Sequence, residues 1–181
     1  MQLPKSFRNR CELISTDLRR QLGLQVFDRL LANDLAEKYE VTICTPDKLD
    51  LSQEAIDYCL QNHDWWGFLI RPAAPQKSMI VYDAKQSPAR YESTIMHELA
   101  HLILNHPPEH IHFATDGTFT RDFDPKKEAE AAYLGSCLQI PRRGLLWAVQ
   151  MKMNNEEIAK HFGASMEMVR WRQNAVKAGN K

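Results

Sequence analysis

His97-Glu98-Leu99-Ala100-His101 reads H-E-x-x-H and lies within a segment of helical periodicity. Two histidines at i and i+4 fall on one helix face, one turn apart, so their imidazoles can reach a single metal ion. Glu98 beside them can take a proton from water held at such an ion without being a ligand itself. The flanking residues predict the helix independently. Ser87-Pro88 has the form of an N-cap followed by proline at the first helical position. Ile95, Leu99, Leu102 and Ile103 make an apolar stripe at helical spacing. Pro107-Pro108 closes the segment, because proline cannot continue a helix.

The chain has 181 residues, enough for one sizeable core with a small appendage. Its formal net charge is zero, which argues against non-specific binding to nucleic acid or anionic membranes as its main business. Cys11, Cys44, Cys59 and Cys137 are scattered, with no C-x-x-C pair. That pattern fits reduced thiols better than a disulfide framework or a thiolate metal site. No apolar run follows the basic residues near the N-terminus, and none is long enough to span a bilayer. The expectation is a cytoplasmic enzyme of restricted specificity with no membrane partner.

Upstream of the motif, residues 1–20 are polar and mixed, with no clear period. Leu22, Val26, Leu30, Leu31 and Leu35 predict a long amphipathic helix over Leu22–Tyr39. Val41–Thr45, Trp65–Ile70 and Ser78–Tyr82 read as short strands, and Leu51–Leu60 as a short helix. Helix, short strands and motif helix in that order give an α+β arrangement. Residues 105–125 carry His106, His110, His112, Pro107, Pro108 and Gly117 without periodicity, and read as a loop bearing substrate contacts.

A catalytic zinc site usually takes three protein ligands and keeps one open position. The pattern H-E-x-x-H-x-x-G-x-x-H is excluded, because Leu104 stands where glycine is needed and Pro107 where histidine is needed. The other option is a carboxylate on a later helix. Lys126–Ile140 is such a segment, opened by Asp124-Pro125, ended by Pro141 and carrying both Glu128 and Glu130.

Together with the H-E-x-x-H motif, Lys127-Glu128-Ala129-Glu130-Ala131-Ala132-Tyr133-Leu134-Gly135-Ser136-Cys137-Leu138-Gln139-Ile140-Pro141 resembles the ImmA/IrrE family of metallo-endopeptidases. Members pair H-E-x-x-H with a helix of the form E-x-E/Q-A-N/D-x-F-A-x-x-L-L-M-P. The layout matches over roughly residues 24–175, and only the two motifs are specific. Registered on Leu138 and Pro141, the resemblance makes Glu128 the metal-binding glutamate beside His97 and His101. Glu130 then falls on a variable position and reads as a solvated acid. Three departures stand out: Ala132 for Asn or Asp, Leu134-Gly135 for Phe-Ala, and Gln139 for Leu. Loss of the polar residue at 132 removes a hydrogen-bond partner of a ligand histidine and should loosen the metal site.

The resemblance implies a zincin-like metallopeptidase core over residues 1–150. The expected ion is Zn²⁺, with Mn²⁺ as the alternative. Glu98 is the expected general base, passing the proton of water on to the leaving amine. His110, His112, Arg121 and Tyr133 are candidates to stabilise the oxyanion. The substrate is expected to add as a strand along Met79–Tyr82. Its implied class is a DNA-binding repressor, an antitoxin-like protein or another transcription regulator. The alternative is a transcription-regulatory or protein-interaction module on a weakly active or inactive peptidase scaffold. The intact Glu98 speaks against it, since a dead scaffold needs no general base.

Residues 151–181 read as a helix-turn-helix-like pair. Ala159 allows close approach, Gly163 makes the turn, Ser165 caps the second helix and Val169 packs inward. Lys160, Arg170, Arg172, Lys177 and Lys181 make this end mildly basic. Glu167 near the groove-facing end places direct DNA binding below packing on the core or docking a protein partner.

Overall fold

The structure is a computed structural model that describes residues 3–49, 57, 65–72, 76–107, 111–113, 119–121 and 124–178. In chain order, helices α1 (Lys5–Gln21) and α2 (Ala32–Lys38) lead to strands β1 (Thr42–Cys44), β2 (Gly67–Ile70) and β3 (Met79–Tyr82). The motif helix α3 (Pro88–Ile103) and a hairpin of β4 (Ile111–Phe113) and β5 (Phe119–Arg121) follow. Helices α4 (Pro125–Gln139), α5 (Arg142–Gln150), α6 (Asn155–Phe162) and α7 (Met166–Ala178) complete the described chain. The fold is therefore mixed α+β. The helix expected over Leu51–Leu60 lies outside the described residues, Asp57 excepted.

The sheet has the order β1-β3-β2, with β1 parallel and β2 antiparallel to β3. Its strands alternate between two faces, as the period of two requires. Ile43, Leu69 and Ile80 stand in register and join the helical core, whereas Phe68 and Val81 pack with Trp65 on the opposite face. The expected substrate edge at Met79–Tyr82 is corrected here. β3 is the central strand, paired on both sides, and has no free edge to offer.

One helical expectation is corrected as well, and a stretch without clear period proves helical. Residues 5–21 form α1, although they show no obvious period in the sequence. The inward stripe runs through Cys11, Ser15, Leu18 and Arg19, so two of its four buried members are polar. The long helix expected over Leu22–Tyr39 is only Ala32–Lys38. Gly23 has φ +73°, a left-handed conformation that stops α1, and Gln25–Asp28 makes a turn closed by the Asp28 carboxylate. The Leu30 side chain is buried from a loop. Glu92 of α3 then caps α2, accepting from the Ala32 amide at 3.0 Å.

The buried polar groups of α1 have a clear task. A helix leaves its last four carbonyls without intrahelical partners. At the end of α4, Ser15 Oγ donates to the Cys137 carbonyl at 2.5 Å, and Arg19 Nη2 donates to that of Leu138 at 2.7 Å. Arg172 Nε, from α7, donates to the Ile140 carbonyl at 2.8 Å. Arg172 is fully buried, and its Nη2 meets Glu12 of α1 at 2.6 Å. It is thus withdrawn from the basic surface read in the sequence.

The C-terminal helices follow their sequence signals. Asn154 and Glu157 form a capping box on α6, Gly163 sits at φ +63°, and Ser165 Oγ accepts from the Met168 amide. A second core of Ile140, Leu145, Ile158, Phe162, Val169 and Val176 joins these helices to α5. Gln139 Nε2 donates to the Gly163 carbonyl, and His161 Nε2 meets the Phe27 carbonyl at 2.7 Å. The pair therefore packs on the preceding chain. No helix among the described residues is long and apolar enough to cross a membrane.

Candidate metal centre

Ser87 caps α3 as its sequence predicts, its Oγ accepting from the Arg90 amide, with Pro88 at the first turn. Asp124 caps α4 by accepting from the Lys126 and Lys127 amides. These two helices pack along each other, and their facing sides carry His97, His101 and Glu128. Their approach is close because residue 135 is glycine. A Cβ there would stand 3.2 Å from both the Cα and the N of His97. Gly135→Ala should therefore push α4 off α3 by a few tenths of an ångström and cost about 1–3 kcal/mol. Thermal melting beside wild type checks this; an unchanged melting temperature would refute it.

The three side chains converge on one point. His97 Nε2 and His101 Nε2 lie 3.1 Å apart. His97 Nε2 to Glu128 Oε2 is 3.2 Å, and His101 Nε2 to Glu128 Oε1 is 3.3 Å. Donors about 2.0–2.2 Å from one ion at tetrahedral angles stand about 3.3–3.6 Å apart, so this triangle fits zinc within a few tenths of an ångström. The donor chemistry fits as well: two imidazole nitrogens and a carboxylate, the set of an open catalytic zinc site. Burial works against ionisation of Glu128, but hydrogen bonds from His101 and His97 override it and hold the carboxyl below the usual carboxylate range. His97, at 25 % side-chain exposure, leaves the triangle open to solvent on one side.

Glu98 is buried on α3 and faces the sheet. Gly67 makes room for Thr94 of the same helix, since a Cβ there would stand only 2.6 Å from Thr94 Cγ2, while its 3.9 Å to Glu98 Cγ would be an ordinary contact. Edge strand β2 thus runs past the motif helix at the level of Glu98.

The oxyanion candidates fare differently. Tyr133 is buried against Trp171 and under the Arg172 guanidinium, so it serves the packing of α7. His110 lies outside the described residues. His112 and Arg121 belong to the β4–β5 hairpin, where His112 pairs with Thr120 and Arg121 with Ile111. That hairpin corrects the reading of residues 105–125 as loop.

Two residues of the site escape the motif. His106, buried, places its Nδ1 3.1 Å from His101 Nδ1. Its Nε2 lies 3.2 Å from Glu130 Oε2. Burial and the neighbouring His101 lower the His106 pKa from its ordinary value. Glu130, read from sequence as a solvated acid, is only 18 % exposed and sits against this imidazole. Ala132 is exposed. The signal for His106 was present in the end of α3. Asn105 is left-handed at φ +54°, and the His106 amide donates to the His101 carbonyl at 3.0 Å. This is a Schellman closure, with Asn105 N–H on the Leu102 carbonyl as its inner bond.

A family model described as IrrE N-terminal-like domain, Peptidase_M78, matches residues 36–174. No curated protein matches the sequence. A solved structure titled Mycobacterium tuberculosis transcriptional regulator is similar at a TM-score of 0.51 with 13 % identity, a likeness of fold. The similarity covers 91 % of this chain and 49 % of that one, so the chain spans about half the length of that neighbour.

Proposed function

The chain belongs to the IrrE N-terminal-like (Peptidase_M78) family, and from that premise we propose that it is a metal-dependent endopeptidase of restricted specificity. One observation carries the reading: the His97, His101 and Glu128 donor atoms all lie within 4.8 Å of one another, with buried Glu98 on the helix of the two histidines. His97, His101 and Glu128 would hold the ion, with zinc favoured by the nitrogen-rich donor set and manganese the alternative.

A bound zinc ion would supply Lewis acidity at the scissile carbonyl and make water acidic enough to ionise near pH 7. Glu98 would serve as the general base, accepting a proton from the attacking water and passing it to the leaving amine. Its burial keeps bulk solvent from competing for the proton. An extended peptide would align along β2, the edge strand beside Glu98, and pair with its backbone. We read the core as zincin-like, and α6 and α7 as a helix-turn-helix-like pair that docks rather than binds DNA. The substrate class we assign, on the family resemblance, is a DNA-binding repressor or an antitoxin-like regulator.

The test is incubation of the purified, zinc-loaded chain with candidate regulators encoded near it, read by intact mass. One discrete cut, abolished by a chelator and restored by zinc, is the expected result. Intact partners throughout, under conditions where zinc is bound, would refute the peptidase reading.

A further inference from the structure

The Nδ1 atoms of His101 and His106 face each other at 3.1 Å, so one must donate and the other accept. The metal-site reading, on which this inference rests, settles which. If His101 Nε2 offers its lone pair to an ion, the neutral ring carries its proton on Nδ1. His106 Nδ1 must then accept. A neutral His106 carries its own proton on Nε2, where Glu130 Oε2 waits at 3.2 Å. A single protonation pattern satisfies every atom of the chain: His101 Nδ1–H donates to His106 Nδ1, and His106 Nε2–H donates to Glu130.

We propose that His106 and Glu130 are positioning residues for the ligand His101. The backbone is built for this task. The Schellman closure ties the His106 amide to the His101 carbonyl, one residue pair linked by backbone and side chain at once. The apolar contact that usually accompanies such a closure is here two imidazoles, edge to face at 5.0 Å between ring centres. Arg71 donates to the His106 carbonyl and, at 3.0 Å, to Asn105 Oδ1, pinning the turn from the side of β2. With its backbone held, the His106 ring cannot swing away without losing both its His101 and its Glu130 contact. A ring held in one tautomer and one orientation loses little freedom when it binds an ion, and its basicity rises.

Chelator competition for zinc on the full chain tests the inference, with wild type beside His106→Ala, Glu130→Ala, Glu130→Gln and Glu128→Ala. His106→Ala and Glu130→Ala should each weaken zinc binding about 10- to 100-fold. Glu130→Gln keeps an oxygen to accept from His106 Nε2–H and should recover most of that loss. Long-range ¹⁵N–¹H spectra of zinc-loaded wild type should show His101 protonated at Nδ1 and His106 at Nε2, a signature independent of how any variant folds. Wild-type zinc affinity in both alanine variants would overturn the inference, as would equal losses in Glu130→Gln and Glu130→Ala, or His106 protonated at Nδ1. Unchanged binding in Glu128→Ala would instead sink the metal-site reading itself.

Discussion

Glu98→Gln is expected to bind zinc as wild type does and to lose cleavage by about 10²- to 10⁴-fold. The side chain keeps its shape, so the packing of α3 against Gly67 of β2 should survive. An amide cannot take a proton from water near neutral pH. Metal affinity should not change, because His97, His101 and Glu128 are untouched. The two readouts separate the competing functions. If a regulatory output in cells survives Glu98→Gln, hydrolysis is not the function, and the chain acts as a binding module on a peptidase scaffold. If cleavage itself survives, the general base lies elsewhere.

Glu12→Ala should be the most damaging single change to stability, costing about 3–5 kcal/mol out of a total of about 5–15 kcal/mol. Arg172 is fully buried and its charge is paired with Glu12 at 2.6 Å. The same carboxylate accepts from the Arg142 amide at the start of α5 and from Cys137 Sγ. Truncation strands a buried guanidinium and two further donors. Adding Arg172→Met to Glu12→Ala should recover part of the loss, since the stranded charge is then gone. Urea melting of the single and double variants measures both effects. A loss below about 1 kcal/mol for Glu12→Ala would reduce the pair to the worth of an exposed salt bridge and contradict the account.

Much of the fold was legible because local chemistry and tertiary packing agree there. Ser87-Pro88 and Asp124-Pro125 announce the two helices of the site, and both caps are made as written. Strands β1 and β3 stand out by β-branched residues, and Asn154, Gly163 and Ser165 mark α6 and α7. What stayed hidden depends on partners distant in sequence. Ser15 and Arg19 break the apolar stripe of α1 because they cap carbonyls of α4, about 120 residues away, at Cys137 and Leu138. The order of strands is not a local property, so β3 could not be recognised as central. Glu130 reads as an ordinary surface acid until the turn after α3 brings His106 against it. Gly135 departs from the family pattern, yet its role appears only when α3 is seen against it.

The most direct measurement of the central claim is the zinc content of the purified chain, wild type beside Glu128→Ala. The account predicts about one equivalent in wild type, as a three-ligand site requires, and none in Glu128→Ala. A wild-type chain that takes up no zinc when it is supplied, or a Glu128→Ala chain that holds as much as wild type, would contradict it.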